Sequence, residues 1–563
     1  MGRRLAAATG RAVLLTAVVV PALLIGSGPA MAAPLGGTPL LALSGRSPFP
    51  DRCGTGEATQ AGAEVEAQLA VDPSDPAKMV AAWQQDRSLL AGAGALSTGV
   101  SVSDDGGRSW RRVQVPGTTG CVSGGFDRAS DPWVSIGADG TAYLATLQLS
   151  VGNGAIGSKV VVNRSLDGGA TWSPAVAVAD RGGYEDKETV TADPARPAAA
   201  YAVWARAEDG IPRTAYFART VDGGATWSTP QAVYTPAAGR GANGHQIAVA
   251  PDGALIDVFT EGGSGLVGQV VMAMRSEDQG ATWSSPMPVG QSSALPTVDP
   301  ERNTPISTGG PLPTVAIAPG GDVFVAWQSL GLAGSGEIQF ARSIDHARSF
   351  QVQRSIPRVR ASPFTPALAA GPGGLAVSYY DFRFDRRGDR ELTTSMWISH
   401  SHDAGRSWVE SRIGGPFDMR RAPRRASTQL FLGDYTGLVP LPRGFGAAVV
   451  ESAPAASRGA SDVFFTRAAL GRRPPALRIL VSLRPRRLRA GRRTRLRLRV
   501  RGLVDGDRRP LVGARVRLGR RRFRTNSSGR AVITVKLSAG RYRLHAMKPG
   551  FRRSTTQLIV SAN

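Results

Sequence analysis

Ser165-Leu166-Asp167-Gly168-Gly169-Ala170-Thr171-Trp172 is the stretch from which the architecture of this 563-residue chain can be read. An aspartate two residues after a serine accepts hydrogen bonds from turn amides, glycine supplies a positive φ, and Ser or Thr bonds back to the local backbone. The tryptophan then opens the next strand with a large apolar ring that can pack between sheets. Lys159-Val-Val-Val precedes the stretch, so it reads as the tight corner of a hairpin.

The corner recurs. Ser103-x-Asp105-x-Gly107-x-Ser109-Trp110 comes before it, and Thr220-x-Asp222-x-Gly224-x-Thr226-Trp227 and Ser276-x-Asp278-x-Gly280-x-Thr282-Trp283 follow. A degenerate copy, Ser343-x-Asp345-x-Ala347-x-Ser349-Phe350, precedes Ser401-x-Asp403-x-Gly405-x-Ser407-Trp408. Successive aspartates lie 62, 55, 56, 67 and 58 residues apart, the period of a repeat fold with one supersecondary unit per copy. The second unit shows the pattern: Trp133-Val-Ser-Ile, a turn at Ala138-Asp-Gly, Ala142-Tyr-Leu-Ala-Thr, Lys159-Val-Val-Val, then the corner and Trp172-Ser. That is four strands, a to d, with the corner between c and d. A seventh unit follows the sixth corner without a corner or d strand of its own. The expectation is an all-β chain, a six- or seven-bladed β-propeller followed by a small β-sandwich. In the seven-bladed reading the strand near Leu40-Leu-Ala-Leu closes the ring.

The six copies resemble the Asp-box repeat of bacterial sialidases and related propellers. The resemblance implies a sialidase-like propeller over residues 64–470, preceded by an N-terminal segment, 34–63. It implies fold more than activity, because the box is structural. Sialidases have six blades and carry a Phe-Arg-Ile-Pro motif that is absent here, so the chain departs from that family on both points.

In an up-and-down blade the boxes and a–b turns share one side, so a site belongs on the other, near the axis. The loops of that side are rich in charged and aromatic residues. They include Trp83-Gln-Gln-Asp-Arg87, Tyr379-Tyr-Asp-Phe-Arg383, Asp127 to Trp133, Tyr184 to Glu188, Asn243 to Gln246, Asp418 to Arg421 and Gly433-Asp-Tyr435. The sialidase resemblance implies a tyrosine nucleophile assisted by a glutamate, an aspartate acid/base and an arginine clamp for a carboxylate. The face offers Tyr435, Glu188, and Asp86 or Asp131 for the first roles, and Arg87, Arg128 and Arg383 for the clamp. Gln85, Trp133, Tyr380, Asp381 and His245 complete the expected substrate contacts. Paired carboxylates, Asp86 with Asp131 or Glu188 with Asp381, would instead serve ordinary glycosidase chemistry. No His-Glu-x-x-His, Cys/His cluster, EF-hand loop or phosphate-binding glycine loop occurs, so neither metal nor cofactor is expected.

The charge is unevenly placed. The chain carries +25, yet residues 471–563 hold 28 basic and 2 acidic residues, +26 alone. A linker at 471–478 leads to a basic segment, 479–563, whose alternating Leu496-Arg-Leu-Arg-Val-Arg501 reads as half-buried strands. Gly513 to Phe551 resembles the carboxypeptidase regulatory-like, Ig-like sandwich, an accessory family. Binding to anionic cell-wall polymers, without nucleic-acid specificity, is expected of it. Residues 1–33 read as a signal peptide: Arg3, Arg4 and Arg11, an apolar run from Ala12 to Ile25, and Ala30-Met-Ala32. No later run is long enough to span a bilayer, so a secreted monomer, with cell-envelope association through its basic end, is expected. Export would pair the two cysteines, Cys53 and Cys121.

Together these features point to a secreted sialidase-like glycoside hydrolase acting on a terminal acidic sugar. The alternatives are a non-catalytic propeller that binds glycans or proteins at the cell envelope, and a lyase or unrelated glycosidase on the same scaffold.

Overall fold

A computed structural model describes residues 35–49, 53, 59–90, 92–152, 155–180, 183–208, 211–263, 268–293, 296–330, 336–353, 355–356, 362–388, 390–452, 460–470, 478–504, 507–548 and 551–562. The expected signal peptide and nearly all of the 471–478 linker lie outside them. Among the described residues the regular structure is strand, with single 3-10 turns at Gly120–Val122 and Met419–Arg421.

Seven antiparallel units form the ring, each opening on an inner strand. These are Val65–Val71, Arg128–Ile136, Tyr184–Ala192, Gly241–Val249, Thr314–Ile317, Phe364–Gly371 and Leu438–Leu441, which begin blades 1 to 7. Blade 3 is representative: Tyr184–Ala192, Ala200–Glu208, Ile211–Thr220 and Gln231–Tyr234 pair in sequence order. Blade 7 takes its outer strand from the other end of the chain. Leu35–Gly37 and Leu41–Ala42 pair with Ser461–Leu470, so both ends of the propeller segment share one sheet. Cys53 and Cys121 form a disulfide, tying this N-terminal segment to the loop after blade 1.

The apolar core is a set of interfaces between neighbouring blades. Val80, Val100 and Val102 of blade 1 meet Val134, Ile136, Leu144 and Trp172 of blade 2. Phe324 and Phe340 of blade 5 meet Leu368, Val377 and Tyr379 of blade 6. Both faces of each blade are covered, so the middle strands read as nearly continuous apolar runs.

The six corners share one hydrogen-bond set. In the third, Asp222 Oδ1 accepts from Thr226 N (3.0 Å) and from Thr220 Oγ1 (2.8 Å), and Oδ2 accepts from Thr226 Oγ1 (2.6 Å). Thr220 Oγ1 accepts from Gly224 N (2.9 Å). The bonds from Thr226 pull the Asp222 carboxyl down to about 2. Equivalent bonds hold Asp105, Asp167, Asp278, Asp345 and Asp403. Each corner leans on the preceding blade: Trp110 packs on Phe465, Trp283 on Phe217 and Trp408 on Phe340. A Cβ on Gly280 would lie 2.2 Å from Phe217, and one on Gly405 2.4 Å from Phe340. The fifth corner tolerates Ala347 because blade 4 presents the small Ala273 to that cluster.

Two longer inter-blade segments build a small extra sheet from Thr297–Val298, Pro305–Ser307, Gln429–Phe431 and Arg424–Arg425, with Ile306 parallel to Leu430. The basic C-terminal segment forms two further sheets around one apolar core that includes Leu496, Leu498, Val516, Leu544 and Leu558. Lys548 Nζ reaches Glu391 Oε2 of blade 6 (3.2 Å). No helix among the described residues is long and apolar enough to cross a membrane.

Candidate axial site

Five inner strands slip register at the same level. The shifts lie between Val65 and Gln68, Ser130 and Trp133, Asp186 and Thr189, Asn243 and Gln246, and Phe364 and Ala367. The extra residues Glu66, Asp131, Lys187, Gly244 and Thr365 all have positive φ, at 53°, 48°, 54°, 69° and 50°. Such a bulge re-aims a side chain, and for a residue other than glycine it costs about 1–3 kcal/mol. Three of the five are ionisable residues on consecutive blades, so the bulges turn those groups toward one another.

They converge with Asp434, which precedes blade 7. Lys187 Nζ donates to Asp131 Oδ2 (2.8 Å) and Asp434 Oδ2 (2.7 Å), and lies 3.6 Å from Glu66 Oε1. Arg425, from the extra sheet, adds a bond from Nη1 to Asp434 Oδ2 (3.1 Å) and another to Ser307 Oγ (3.0 Å). Gln84 bridges Glu66 and Ser130 Oγ and accepts from Arg87, whose guanidinium lies 4.9 Å from the Phe431 ring centre. Burial disfavours charge on all of these groups, but Lys187 and Arg425 hold the Asp434 carboxyl well below the ordinary carboxylate range. Lys187, with Ser130, lowers Asp131 in the same way. Glu66 is the odd member: burial, reinforced by Asp131 and Asp434, outweighs Lys187 and pushes it up to about 8.

Against this cluster lies a cavity of about 190 Å³, lined by inner-strand residues of every blade. Lys187 and Asp434 reach it, and Trp133, Glu188, His245 and Tyr435 line it. Glu188 is buried, and neither carboxyl oxygen has a hydrogen-bond partner. Burial, with Asp131 nearby, raises its pKa well above the ordinary range, which favours the neutral acid. His245 Nδ1 is 2.7 Å from Asp257 Oδ2, and its ring stacks on Phe259 at 4.6 Å. Trp133 is half-buried and packs edge-on against Tyr435, with ring centres 5.2 Å apart.

The structure thus brings together Tyr435, Glu188, Asp131, Trp133 and His245, with Arg87 behind the cluster. It separates others. Asp86 does not pair with Asp131: its Oδ1 accepts from Gly62 N (2.7 Å) and Gln85 Nε2 (3.1 Å), tying it to the N-terminal segment. Gln85 donates to the buried Glu64 Oε1 (2.7 Å). Arg383 is no clamp over the axis: it pairs with Asp381 and Glu410 and stacks 3.7 Å from the Trp397 ring centre. Asp381 is committed to that group and to Trp397 Nε1, which excludes a pair with Glu188. Tyr380 donates to Val450 O (3.1 Å) inside the interface of blades 6 and 7, so it offers no face to a sugar. Arg128 is buried at the start of its strand, outside the cavity lining.

Tyr435 reaches the cavity but not as an activated nucleophile. Its hydroxyl donates to Pro132 O (3.1 Å). Burial and four surrounding carboxyls, Glu66, Asp131, Glu188 and Asp434, raise its pKa well above 10. A phenolate is disfavoured there.

Glu66, Lys187, Asp434 and Arg425 carry the cluster, yet sequence reasoning assigned them no role. Lys187 and Asp434 stand in stretches it singled out; Glu66 does not. The available signal was a charged residue inside an otherwise apolar inner strand, as in Val65-Glu-Ala-Gln-Leu69.

No protein family matches the chain, and no curated protein does. Among solved structures it is similar to a Hadza microbial sialidase, with 12% identity over 78% of this chain and 93% of that one and a TM-score of 0.40. It is also similar to a Penicillium chrysogenum alpha-L-arabinanase complexed with arabinobiose, with 14% identity over 62% and 94% and a TM-score of 0.40. A leech intramolecular trans-sialidase gives 12% identity over 60% and 68%, with a TM-score of 0.38.

Proposed function

We propose that the protein is a glycoside hydrolase whose axial cavity takes one terminal sugar of a glycan. The observation that carries this reading is a pair of carboxyls lining one cavity in unlike surroundings: Glu188 is buried without a hydrogen-bond partner, and Asp434 is bonded by Lys187 and Arg425. Environments that push two carboxyls apart assign acid and base. Glu188 protonates the departing glycosidic oxygen. Asp434, with Asp131 behind it, supports the positive charge that develops on the sugar ring or activates water. Trp133 offers a ring face to the sugar. Lys187 and Arg425 at the same end favour a sugar that carries its own carboxylate, the sialidase-like choice.

The test is a panel of fluorogenic glycosides covering sialosides, uronides and arabinosides. Turnover of an acidic member, lost by at least about 100-fold in Glu188→Gln while its thermal melting holds, supports the reading. No turnover across the panel overturns it. A second reading, a binding propeller without catalysis, draws on the saturation of Lys187 and Asp434 by each other. Retention on a glycan array without hydrolysis would select it.

A further inference from the structure

The C-terminal sheet built from Arg478–Arg484, Thr494–Val504, Asp507–Pro510 and Arg530–Val535 has two unlike faces. Leu496, Leu498 and Val500 point into the core, and Arg495, Arg497, Arg499 and Arg501 alternate with them on the outside. Pairing sets further arginines beside this row: Arg484 opposite Arg497, and Arg530 opposite Arg499. Like charges placed directly opposite destabilise a sheet. None of these six guanidinium groups has an acidic partner among the described residues. In the propeller the same residue type is paired, as in Arg206 with Glu185, Arg342 with Asp322 and Arg420 with Asp299. An arginine-rich composition alone therefore does not account for the unpaired grid. Partial desolvation and the neighbours Arg501 and Arg530 hold Arg499 below its ordinary pKa, the repulsion such a grid implies.

We propose that this arginine face is a docking surface for an extended phosphodiester polymer. Alternate residues along a strand recur every ~6.6–6.8 Å, a span of six backbone bonds. A phosphodiester repeat of the glycerol or nucleotide type also has six backbone bonds between phosphorus atoms, so successive phosphates meet successive arginines. Each guanidinium can present two parallel donors to a phosphate. The outward neighbours paired with the row include Leu480, Ser482, Pro510, Val532 and Thr534, with no aromatic ring among them, so neither bases nor sugar rings have a stacking platform. Recognition therefore rests on the charged backbone. The other sheet is less free: Arg517 and Arg521 donate to backbone carbonyls within the chain, and Arg524 to Gly388 O.

Fluorescein-labelled poly(glycerol phosphate) and the full chain, followed by anisotropy between about 50 and 200 mM salt, test the proposal. Affinity should fall by at least about tenfold across that range, with log K losing ~0.7 per phosphate contact for each log unit of salt. The quadruple variant Arg495→Gln, Arg497→Gln, Arg499→Gln, Arg501→Gln should lose about 100-fold and show a shallower salt slope, while melting no lower than the parent. Should it fail to fold, Arg484→Gln with Arg530→Gln reads the same face at its two edges. Arg515→Gln with Arg517→Gln on the other sheet should change binding less than about threefold. Quadruple-variant affinity within about twofold of the parent overturns the proposal. So does an equal loss in the other-sheet control, or tighter binding to polygalacturonate or to anionic vesicles at matched charge.

Discussion

Lys187 Nζ donates to Asp434 Oδ2 across 2.7 Å, although the two residues are 247 apart in the chain. Blade 3 supplies the cation, and the segment before blade 7 supplies the anion. Asp131 from blade 2 takes a second proton of the same ammonium. One cation thus joins three separate parts of the ring at its axis.

Replacing Lys187 by Met should be strongly destabilising, by about 3–5 kcal/mol, because it leaves the buried Asp131 without its bonded cation and Asp434 with Arg425 alone. Lys187→Met with Asp434→Asn should cost less than the two single changes summed. Urea melts of the four proteins check this, and additive losses would refute the coupling.

Stability should fall as pH rises from about 5 toward 9. Burial raises Glu64 to about 9 and Glu66 to about 8, so folding takes up protons in that window. A raised folded-state pKa gives stability that is full below the unfolded value and lost as pH passes the folded one. Each such proton gives a slope of about −1.4 kcal/mol per pH unit. Asp434 and Asp131 act oppositely and only at low pH, where their protonation removes stability as pH falls. Glu64→Gln should flatten the alkaline slope in a pH series of melts; an unchanged slope would count against the assignment.

Gly280→Ala and Ala347→Gly occupy equivalent corner positions and should differ in sign. The first pushes a methyl into Phe217 as well as into left-handed backbone, and should cost at least about 2 kcal/mol. The second relieves Ala347 of φ 63° and should be neutral or stabilising by up to about 1 kcal/mol. Thermal melts of both read the contrast directly.

Reducing the Cys53–Cys121 disulfide, 68 residues apart, should remove about 4 kcal/mol. Cys53→Ser with Cys121→Ser should reproduce the loss, and reductant should then have no further effect. Equal denaturation midpoints for parent and variant would refute the contribution.

The corners were legible because their chemistry is local. Ser, Asp, Gly and an aromatic within eight positions specify a turn whatever lies around it, and their period counts the units. The open c strand of the last unit and the apolar run near Leu40 pointed to closure from the other end, which the pairing of Leu41 with Phe465 realises. That a candidate site belongs at the end of the ring opposite the corners followed from blade topology alone. Its chemistry followed less well. The structure brings Tyr435, Glu188 and Asp131 near one another, whereas Arg383, expected beside them, is held by Glu410 on the next strand but one.

By itself, then, the sequence determined the strand order, the corners and the split between a near-neutral ring and an arginine-rich appendage. Alternation, turn chemistry and charge counting act over a few residues and survive without a neighbour. Only the tertiary structure decided which charges meet. Ring closure brings blade 7 against blade 1, and bulges at Glu66, Asp131 and Lys187 turn side chains inward that strict alternation would direct elsewhere. A positive φ at Glu, Asp or Lys has no local signature. It is held by packing from blades far apart in the chain, so the axial cluster exists only once the ring is closed.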